Sequence, residues 1–220
     1  MTHLDNPTLA PYAKEGEVLL RVTARASSDA EADEMMNPVI DEVKSAVGDF
    51  IYGIDTSSLE ETVLNMLKER GLTLSTAESC TGGLVSKRLT DIPGASAVFL
   101  GGAVTYSNSA KEHILGVDGG LLAEKGAVSS EVAVAMAAGA RRCFGTDIAV
   151  SLTGLAGPDS DESGQPVGLV YIGYSDKNGD GFRKVFCGSP RSRCRIMAAN
   201  YALDTIRRRL SGLKLEDRFM

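Results

Sequence analysis

The stretch Leu72-Thr73-Leu74-Ser75-Thr76-Ala77-Glu78-Ser79-Cys80-Thr81-Gly82-Gly83 decides the fold, because it passes from strand to helix across a pair of glycines. Residues 72–77 predict a strand and residues 83–90 a helix. At such a junction the first N–H groups have no intrahelical acceptor, and glycine lets a ligand come close to them. The turn therefore suits an anion or an oxyanion. A plain helix cap is the structural alternative. The turn has neither the Gly-Lys-Ser/Thr ending of a phosphate loop nor the Gly-x-Ser-x-Gly pattern of a nucleophile elbow.

The same alternation continues C-terminally: strand-like 97–106, helix 109–115, helix 130–144 behind a cap at Ser129, then strand 147–153. A glycine-rich acidic loop, 154–166, leads into strands near 167–174 and 182–187, which a turn at 178–181 joins as a hairpin. The closing helix runs from Arg191 to about Leu210. The expected fold is α/β, a mixed sheet flanked by helices, with a small α+β appendage at the N-terminus. In that appendage 17–26 predicts a strand, Ser28 and Asp29 cap a helix to about Val47, and 50–54 predicts a second short strand. Ser57 and Ser58 begin the next helix, whose Leu59, Val63, Leu64 and Leu67 form one apolar face ending at Gly71. The boundary is set near Asp55, giving units 1–55 and 56–220.

With 220 residues and 43% apolar content, the chain can bury one full core and a small second unit. No run approaches the roughly 20 apolar residues a bilayer requires, and the start has no basic leader with an apolar stretch, so a cytoplasmic protein without membrane contact is expected. Cys80, Cys143, Cys187 and Cys194 have no zinc-like spacing and are expected as free thiols. The net charge of -6 disfavours a nucleic-acid partner, which needs a basic face. Charge is unevenly spread. Asp29, Glu31, Asp33, Glu34, Asp41, Glu42, Asp49 and Asp55 outnumber the bases before Ser57, whereas Arg183, Lys184, Arg191, Arg193, Arg195 and Arg207 to Arg209 meet little acid. The arginine-rich end suits a phosphate or carboxylate ligand, or is a solvated helix face.

Histidine is confined to His3 and His113, which leaves almost no material for a Ser-His-Asp triad or a histidine-bound zinc. A hydrolytic reading then turns to serine activated by lysine, or to Cys80 as a thiolate at a helix start. Tyr106 ends a strand and Lys111 lies one turn into the next helix, so the two can share a pocket; a surface lysine and a core tyrosine are the bland reading. A lysine acting as base must be neutral, and burial lowers its pKa to that end. The Thr153-Gly154-Leu155-Ala156-Gly157-Pro158 loop follows a strand of buried character, where ligand crevices of α/β sheets form.

Together Ala77-Glu78-Ser79-Cys80-Thr81-Gly82-Gly83, Val104-Thr105-Tyr106-Ser107-Asn108, Lys111, Gly126-Ala127-Val128-Ser129, Gly154-Leu155-Ala156-Gly157-Pro158 and Pro166-Val167-Gly168 resemble the C-terminal domain of the CinA family, the competence/damage-inducible proteins. The resemblance covers about 59–210. Residues of about 7–55 look like the latter portion of the KH-like module that precedes this domain in long CinA proteins; the pyrophosphatase domain that begins those proteins has no counterpart here, so no pyrophosphatase activity is expected.

Stand-alone relatives of this family are nicotinamide mononucleotide deamidases. The resemblance thus implies an amidohydrolase that needs no metal or cofactor and acts on a phosphorylated pyridine nucleotide. It implies catalytic roles for Ser96, Tyr106, Lys111 and Ser79, with Ser96 as the nucleophile and Ser79 as the alternative. Thr81, Gly82, Gly83, Gly102, Thr105, Thr153 and Gly154 are expected to line the substrate, and Arg191 and Arg195 to grip its phosphate. The family's Gly-Asp-Arg element is replaced by Gly188-Ser189-Pro190-Arg191. The exposed strand edge of the appendage makes a homodimer or higher oligomer the expected assembly. The competing readings are a non-catalytic nucleotide-binding or competence-related interaction module, and an amidase for another small carboxamide. Against a nucleic-acid role, the KH signature Gly-x-x-Gly is not found before Asp55.

Overall fold

The computed structural model describes residues 5–161 and 164–215, and divides the chain into a unit Met1–Ile54 and a unit Asp55–Met220. In the first unit β1 (Thr8–Lys14) and β2 (Glu17–Thr23) pair as an antiparallel hairpin, followed by α1 (Asp29–Val47). The Ser28 hydroxyl caps α1 by accepting from the Glu31 N–H at 3.3 Å. The expected strand, helix, strand order is corrected to strand, strand, helix. Pro7 and Pro11 hide β1 from the pattern, yet proline is tolerated on an edge strand. Residues 50–54 are not a strand; Gly48–Phe50 forms a single 3-10 turn instead. β2 stops at Thr23, short of Ala26.

The second unit holds a five-stranded sheet in the order β4-β3-β5-β6-β7, formed by β3 (Leu74–Glu78), β4 (Phe99–Val104), β5 (Ile148–Gly154), β6 (Leu169–Asp176) and β7 (Gly179–Phe186). β4, β3 and β5 run parallel, and β6 and β7 complete the sheet antiparallel. On one face lie α2 (Leu59–Arg70), α3 (Leu84–Thr90) and α7 (Arg191–Ser211); on the other lie α4 (Asn108–Leu115), α5 (Gly119–Lys125) and α6 (Ser130–Phe144). The core of the second face joins Ala77, Ala103 and Ala149 of the strands to Leu115, Leu122, Val132, Met136 and Ala140 of the helices. Small strand residues opposite larger helical ones let the layers approach closely.

Two local differences have physical causes. α5 is unforeseen because it begins with Gly119 and Gly120, poor helix formers; it forms because the Asp118 carboxylate accepts from the Leu121 N–H at 2.8 Å and Leu122 is buried. The hairpin turn falls at Lys177 and Asn178, not at 178–181, with Asp176 paired to Gly179. Gly181 is in β7 by its pairing with Tyr174, and a Cβ there would stand 2.3 Å from the Tyr174 hydroxyl. No helix among the described residues is long and apolar enough to cross a membrane.

Candidate active site

Parallel strands deliver their C-terminal ends to one edge. The register Glu78↔Val104 and Glu78↔Leu152 therefore brings the turn after β3, the segment after β4 and the loop after β5 together. Chain direction out of β3 leads to β4 on one side, whereas β5 continues to β6 on the other, the kind of switch point at which α/β sheets take their ligands. Ser79 is at this edge, its N–H donating to the Leu152 carbonyl at 3.0 Å.

Period-two alternation fixes what faces what. Ser75 and Ala77 point to the face of α4 and α6, and Ser79 continues that row. Thr76 and Glu78 point the other way: the Thr76 hydroxyl bonds Ser86, and the Glu78 carboxylate accepts from the Val85 and Ser86 N–H groups and the Ser86 hydroxyl, holding the start of α3. Sequence reasoning passed over Glu78; its signal was a carboxylate one residue before the turn it stabilises.

α4 begins at the Ser107 cap, whose hydroxyl accepts from the Ala110 N–H at 3.1 Å. Its buried residues are Lys111 and Leu115, one turn apart. Lys111 thus occupies an apolar position of the helix, and only 1% of it is exposed. Its Nζ donates to the Thr105 carbonyl at 3.0 Å and to the Ser79 hydroxyl at 3.3 Å. Among the described residues no carboxylate forms an ion pair with it. Burial lowers its pKa from the ordinary value, opposed only by Cys80. The Cys80 thiol is itself pushed up to about 12 by burial, so at neutral pH it carries no charge to oppose that shift. The alternative of Cys80 as a thiolate is disfavoured for the same reason, and Cys80 is a buried thiol.

Around this pair, Thr81 and Thr105 have buried hydroxyls with no hydrogen-bond partner among the described residues. Within the turn, Gly82 N–H is taken by the Ser79 carbonyl, whereas the N–H groups of Thr81 and Gly83 have no backbone acceptor among the described residues. Gly82 and Gly83 adopt φ of 60° and 92°, the left-handed region that a side chain would strain.

The rim is built by α7. Arg195 donates to the Thr81 carbonyl through Nη2 at 2.6 Å. Arg191 donates to the Gly157 carbonyl at 2.8 Å and to the Tyr106 hydroxyl at 2.9 Å. Both arginines therefore reach the expected turn and loops. Tyr106 is 61% exposed and meets Arg191; no hydrogen bond joins it to Lys111, so the expected tyrosine and lysine pocket becomes a tyrosine and arginine rim. Thr153 and Gly154 lie at the correct edge, but the Thr153 hydroxyl donates to the Ala127 carbonyl at 2.6 Å.

Two expected site residues are not brought in. Ser96 is exposed in the 3-10 turn Ala95–Ala97, before β4, where the Val98 carbonyl accepts from the Leu74 N–H at the start of β3. It lies at the opposite edge of the sheet, separated from Lys111 by the length of β4, about 17 Å for a strand of that length. Within one chain it cannot give its proton to Lys111. Gly102 is inside β4, and a Cβ there would stand 2.3 Å from the Thr76 hydroxyl and 2.4 Å from that of Ser86, so it serves packing against α3. The arginines at the end of α7 are also not a ligand site. Arg207 and Arg208 are buried and pair with Asp204, and Arg209 pairs with Asp176. The loop residues Glu162 and Ser163, and His3, lie outside the described residues. All four cysteines are free thiols.

Residues 56–210 match the CinA C-terminal domain, and residues 1–53 match the damage-inducible protein CinA KH domain. The chain belongs to the CinA family. A CinA-like protein of Kosmotoga olearia is 48% identical over 209 residues, which are 95% of this chain and 51% of that protein. A putative competence-damage inducible protein of a Thermoanaerobacter species is 43% identical over 96% of this chain and 51% of its own length. The chain thus spans about half the length of these curated relatives. Among solved structures, the competence damage-inducible protein A of Klebsiella pneumoniae is 31% identical with a TM-score of 0.69, covering 71% of this chain and 97% of that one. The competence/damage inducible protein of Agrobacterium tumefaciens is 39% identical with a TM-score of 0.61, over 70% and 90%.

Proposed function

We propose that this CinA chain is a metal-independent amidohydrolase that converts nicotinamide mononucleotide to nicotinic acid mononucleotide and ammonia, with Ser79 as nucleophile and Lys111 as its base. The observation that carries this reading is the enclosed Lys111 Nζ, 3.3 Å from the Ser79 hydroxyl with no ion-pairing carboxylate among the described residues. Neutral Lys111 takes the Ser79 proton as the serine oxygen attacks the carboxamide carbon. The N–H groups of Thr81 and Gly83, which have no backbone acceptor among the described residues, are the candidates to hold the oxyanion. Lys111, now an ammonium, protonates the leaving nitrogen, and ammonia departs. Water then attacks the acyl-Ser79 ester, with Lys111 again as base, and releases the acid. The Thr105 carbonyl fixes Lys111 throughout.

Arg191 and Arg195 at the rim favour a substrate with a phosphate over the free riboside. Ammonia release from nicotinamide mononucleotide in the presence of EDTA is the direct test. Activity that survives EDTA and is lost in both Ser79→Ala and Lys111→Ala is expected. A folded parent that releases no ammonia overturns the reading, and selectivity for mononucleotide over riboside that survives in Arg191→Ala and Arg195→Ala overturns the role of the arginines.

A further inference from the structure

Thr105 stands beside the serine and lysine. In β4 the residues that face α4 and α6 are Gly101 and Ala103: Ala103 belongs to the core on that side, and a Cβ on Gly101 would stand 2.6 Å from the Phe144 ring. Ala103 pairs with Ala77, and the ladder runs one step past the strand ends, because the Thr105 N–H donates to the Glu78 carbonyl at 2.8 Å. Period-two alternation therefore puts Thr105 on the Ala103 row, beside Ser79 on the Ala77 row, one strand spacing of about 4.8 Å away. Lys111 Nζ reaches this place from α4, bonded to the Ser79 hydroxyl at 3.3 Å and the Thr105 carbonyl at 3.0 Å. The Thr105 hydroxyl is fully buried and has no hydrogen-bond partner among the described residues. Such a group costs stability, so its presence next to the dyad calls for a partner that forms during the reaction.

Counting protons supplies that partner. Neutral Lys111 has two N–H groups and a lone pair; the Ser79 hydroxyl faces the lone pair and the Thr105 carbonyl takes one N–H. Once the Ser79 proton has moved to Nζ, the ammonium has three N–H groups. One stays on the Thr105 carbonyl and one turns to the serine oxygen and the leaving nitrogen. The third needs an acceptor. We propose that the Thr105 hydroxyl is this acceptor, a positioning residue that stabilises the Lys111 ammonium and keeps it aimed at Ser79; its part in turnover rests on the amidohydrolase reading, its effect on Lys111 does not. The charged groups nearby are otherwise engaged or face away. Glu78 of β3 points to the other face and holds Val85 and Ser86, and buried Cys80 keeps its proton. Glu112 and His113 of α4, Glu124 and Lys125 of α5 and Glu131 of α6 are exposed, and Arg142 of α6 donates to the Leu115 carbonyl. Arg191 and Arg195 of α7 donate to Gly157, Tyr106 and Thr81. The Thr81 hydroxyl, also buried, belongs to the turn beyond the ladder and not to the Ser79 and Thr105 rows.

The test is a titration of Lys111 itself, which needs no catalysis. In the full chain with carbon-13 at lysine Cε, and with Lys111→Arg used to assign the signal, NMR follows the Lys111 midpoint in the parent, Thr105→Val and Thr105→Ser. Valine keeps the shape and removes the acceptor. A hydrogen bond to a charged group shifts an equilibrium roughly tenfold or more, so the Thr105→Val midpoint is expected about one pH unit below the parent's, the ammonium having lost a partner. Thr105→Ser is expected to restore it, and Thr81→Val to leave it in place. In ammonia release, the plateau kcat of Thr105→Val is expected to fall about tenfold with KM within about twofold, and its rising limb to move to lower pH by the same unit. If Thr105→Val does not fold, Thr105→Ala is titrated in its place and read in the same way. An unmoved midpoint overturns the proposal, whether or not KM rises, and so does a midpoint that moves in Thr81→Val alone. A parent that releases no ammonia, while its Lys111 midpoint still follows Thr105, counts against the amidohydrolase alone.

Discussion

Lys111 and Arg183 are almost equally enclosed, at 1% and 2% exposure, but only Arg183 meets a carboxylate. Arg183, Arg207 and Arg208 converge on Asp204 at 2.7 to 3.0 Å, and Arg183 also lies over the Tyr201 ring. Lys111 has instead a hydroxyl and a carbonyl oxygen. Burial costs any ion several kcal/mol unless a counter-charge offsets it. The arginine cluster meets that cost with Asp204 and stays charged, as guanidinium must. Lys111 does not, and a lysine can escape by losing its proton. Paired cations at the α7 end therefore belong to the architecture, whereas the buried lysine, held by a hydroxyl and a carbonyl oxygen alone, is suited to move a proton.

The sharpest way to break this contrast is to remove the lysine's ability to be neutral. Lys111→Arg keeps charge and length but cannot deprotonate, and Lys111→Ala removes the group; both are expected to lower kcat for ammonia release about 10⁴-fold, the scale on which activated nucleophiles lose their base. In the parent the pH dependence follows from the direction of the Lys111 shift. Catalysis needs the neutral form, so kcat/KM is expected to rise with pH and to level off below the ordinary lysine value of 10.5. A rate that falls as pH rises from 7 to 9 would refute the base role.

Next comes the paired region. Asp204→Asn removes the carboxylate the three guanidinium groups share and is expected to cost about 3 to 5 kcal/mol in urea unfolding, with turnover per folded molecule little changed. Burial alone would raise the Asp204 pKa, but Arg207, Arg183 and Arg208 together hold it below its ordinary value of 3.8. Because the folded-state pKa is depressed, this stabilisation is present above pH 3.8 and is lost as pH falls through the lowered value. Lys111→Met should do the reverse of Asp204→Asn. It replaces a cation without a carboxylate by an apolar chain of similar length, and is expected to stabilise by about 1 kcal/mol at pH 7, roughly 3 °C in Tm, while abolishing activity. In the parent the folded pKa of Lys111 lies below the unfolded one, so its penalty is full at low pH and fades as pH rises from the folded value toward 10.5.

The same contrast explains what could be read in advance. Strand and helix periods were legible wherever one face is buried, as in α6 with Val132, Ala133, Met136 and Ala140. Capping serines at Ser58 and Ser129 were legible because their chemistry is local. β1 and α5 were not, since proline and glycine argued against elements that hairpin pairing and an Asp118 cap hold in place. At the site, Ser79, Lys111, Arg191 and Arg195 were all named from sequence, but their pairing was not, because it depends on strand order. The resemblance puts Ser96, fifteen residues before Lys111, ahead of Ser79, thirty-two before it, whereas in the structure it is the Ser79 hydroxyl that lies 3.3 Å from the Lys111 Nζ. Only the parallel register of β3 and β4 puts one serine at each edge. The basic run Arg207-Arg208-Arg209 misled for a similar reason, since Asp204 shares the helix but Asp176 comes from β6.

The serine comparison yields the smallest expected effect. Ser96→Ala alters an exposed hydroxyl in a turn that no other group of the site touches, and it is expected to keep kcat and KM within about twofold and stability within about 0.5 kcal/mol, as surface substitutions usually do. Ser79→Ala, measured beside it, should fall with the Lys111 variants, and the double variant Ser79→Ala/Lys111→Ala should be no worse than either single one, because base and nucleophile act as a unit. If Ser96→Ala were the inactive variant, the serine that Lys111 serves would have to come from a second copy of the chain. Mixing inactive Ser96→Ala with inactive Lys111→Ala would then restore part of the activity, since a mixed pair carries one intact site. Absence of rescue, with Ser96→Ala active alone, keeps both halves of the dyad on one sheet edge of one chain.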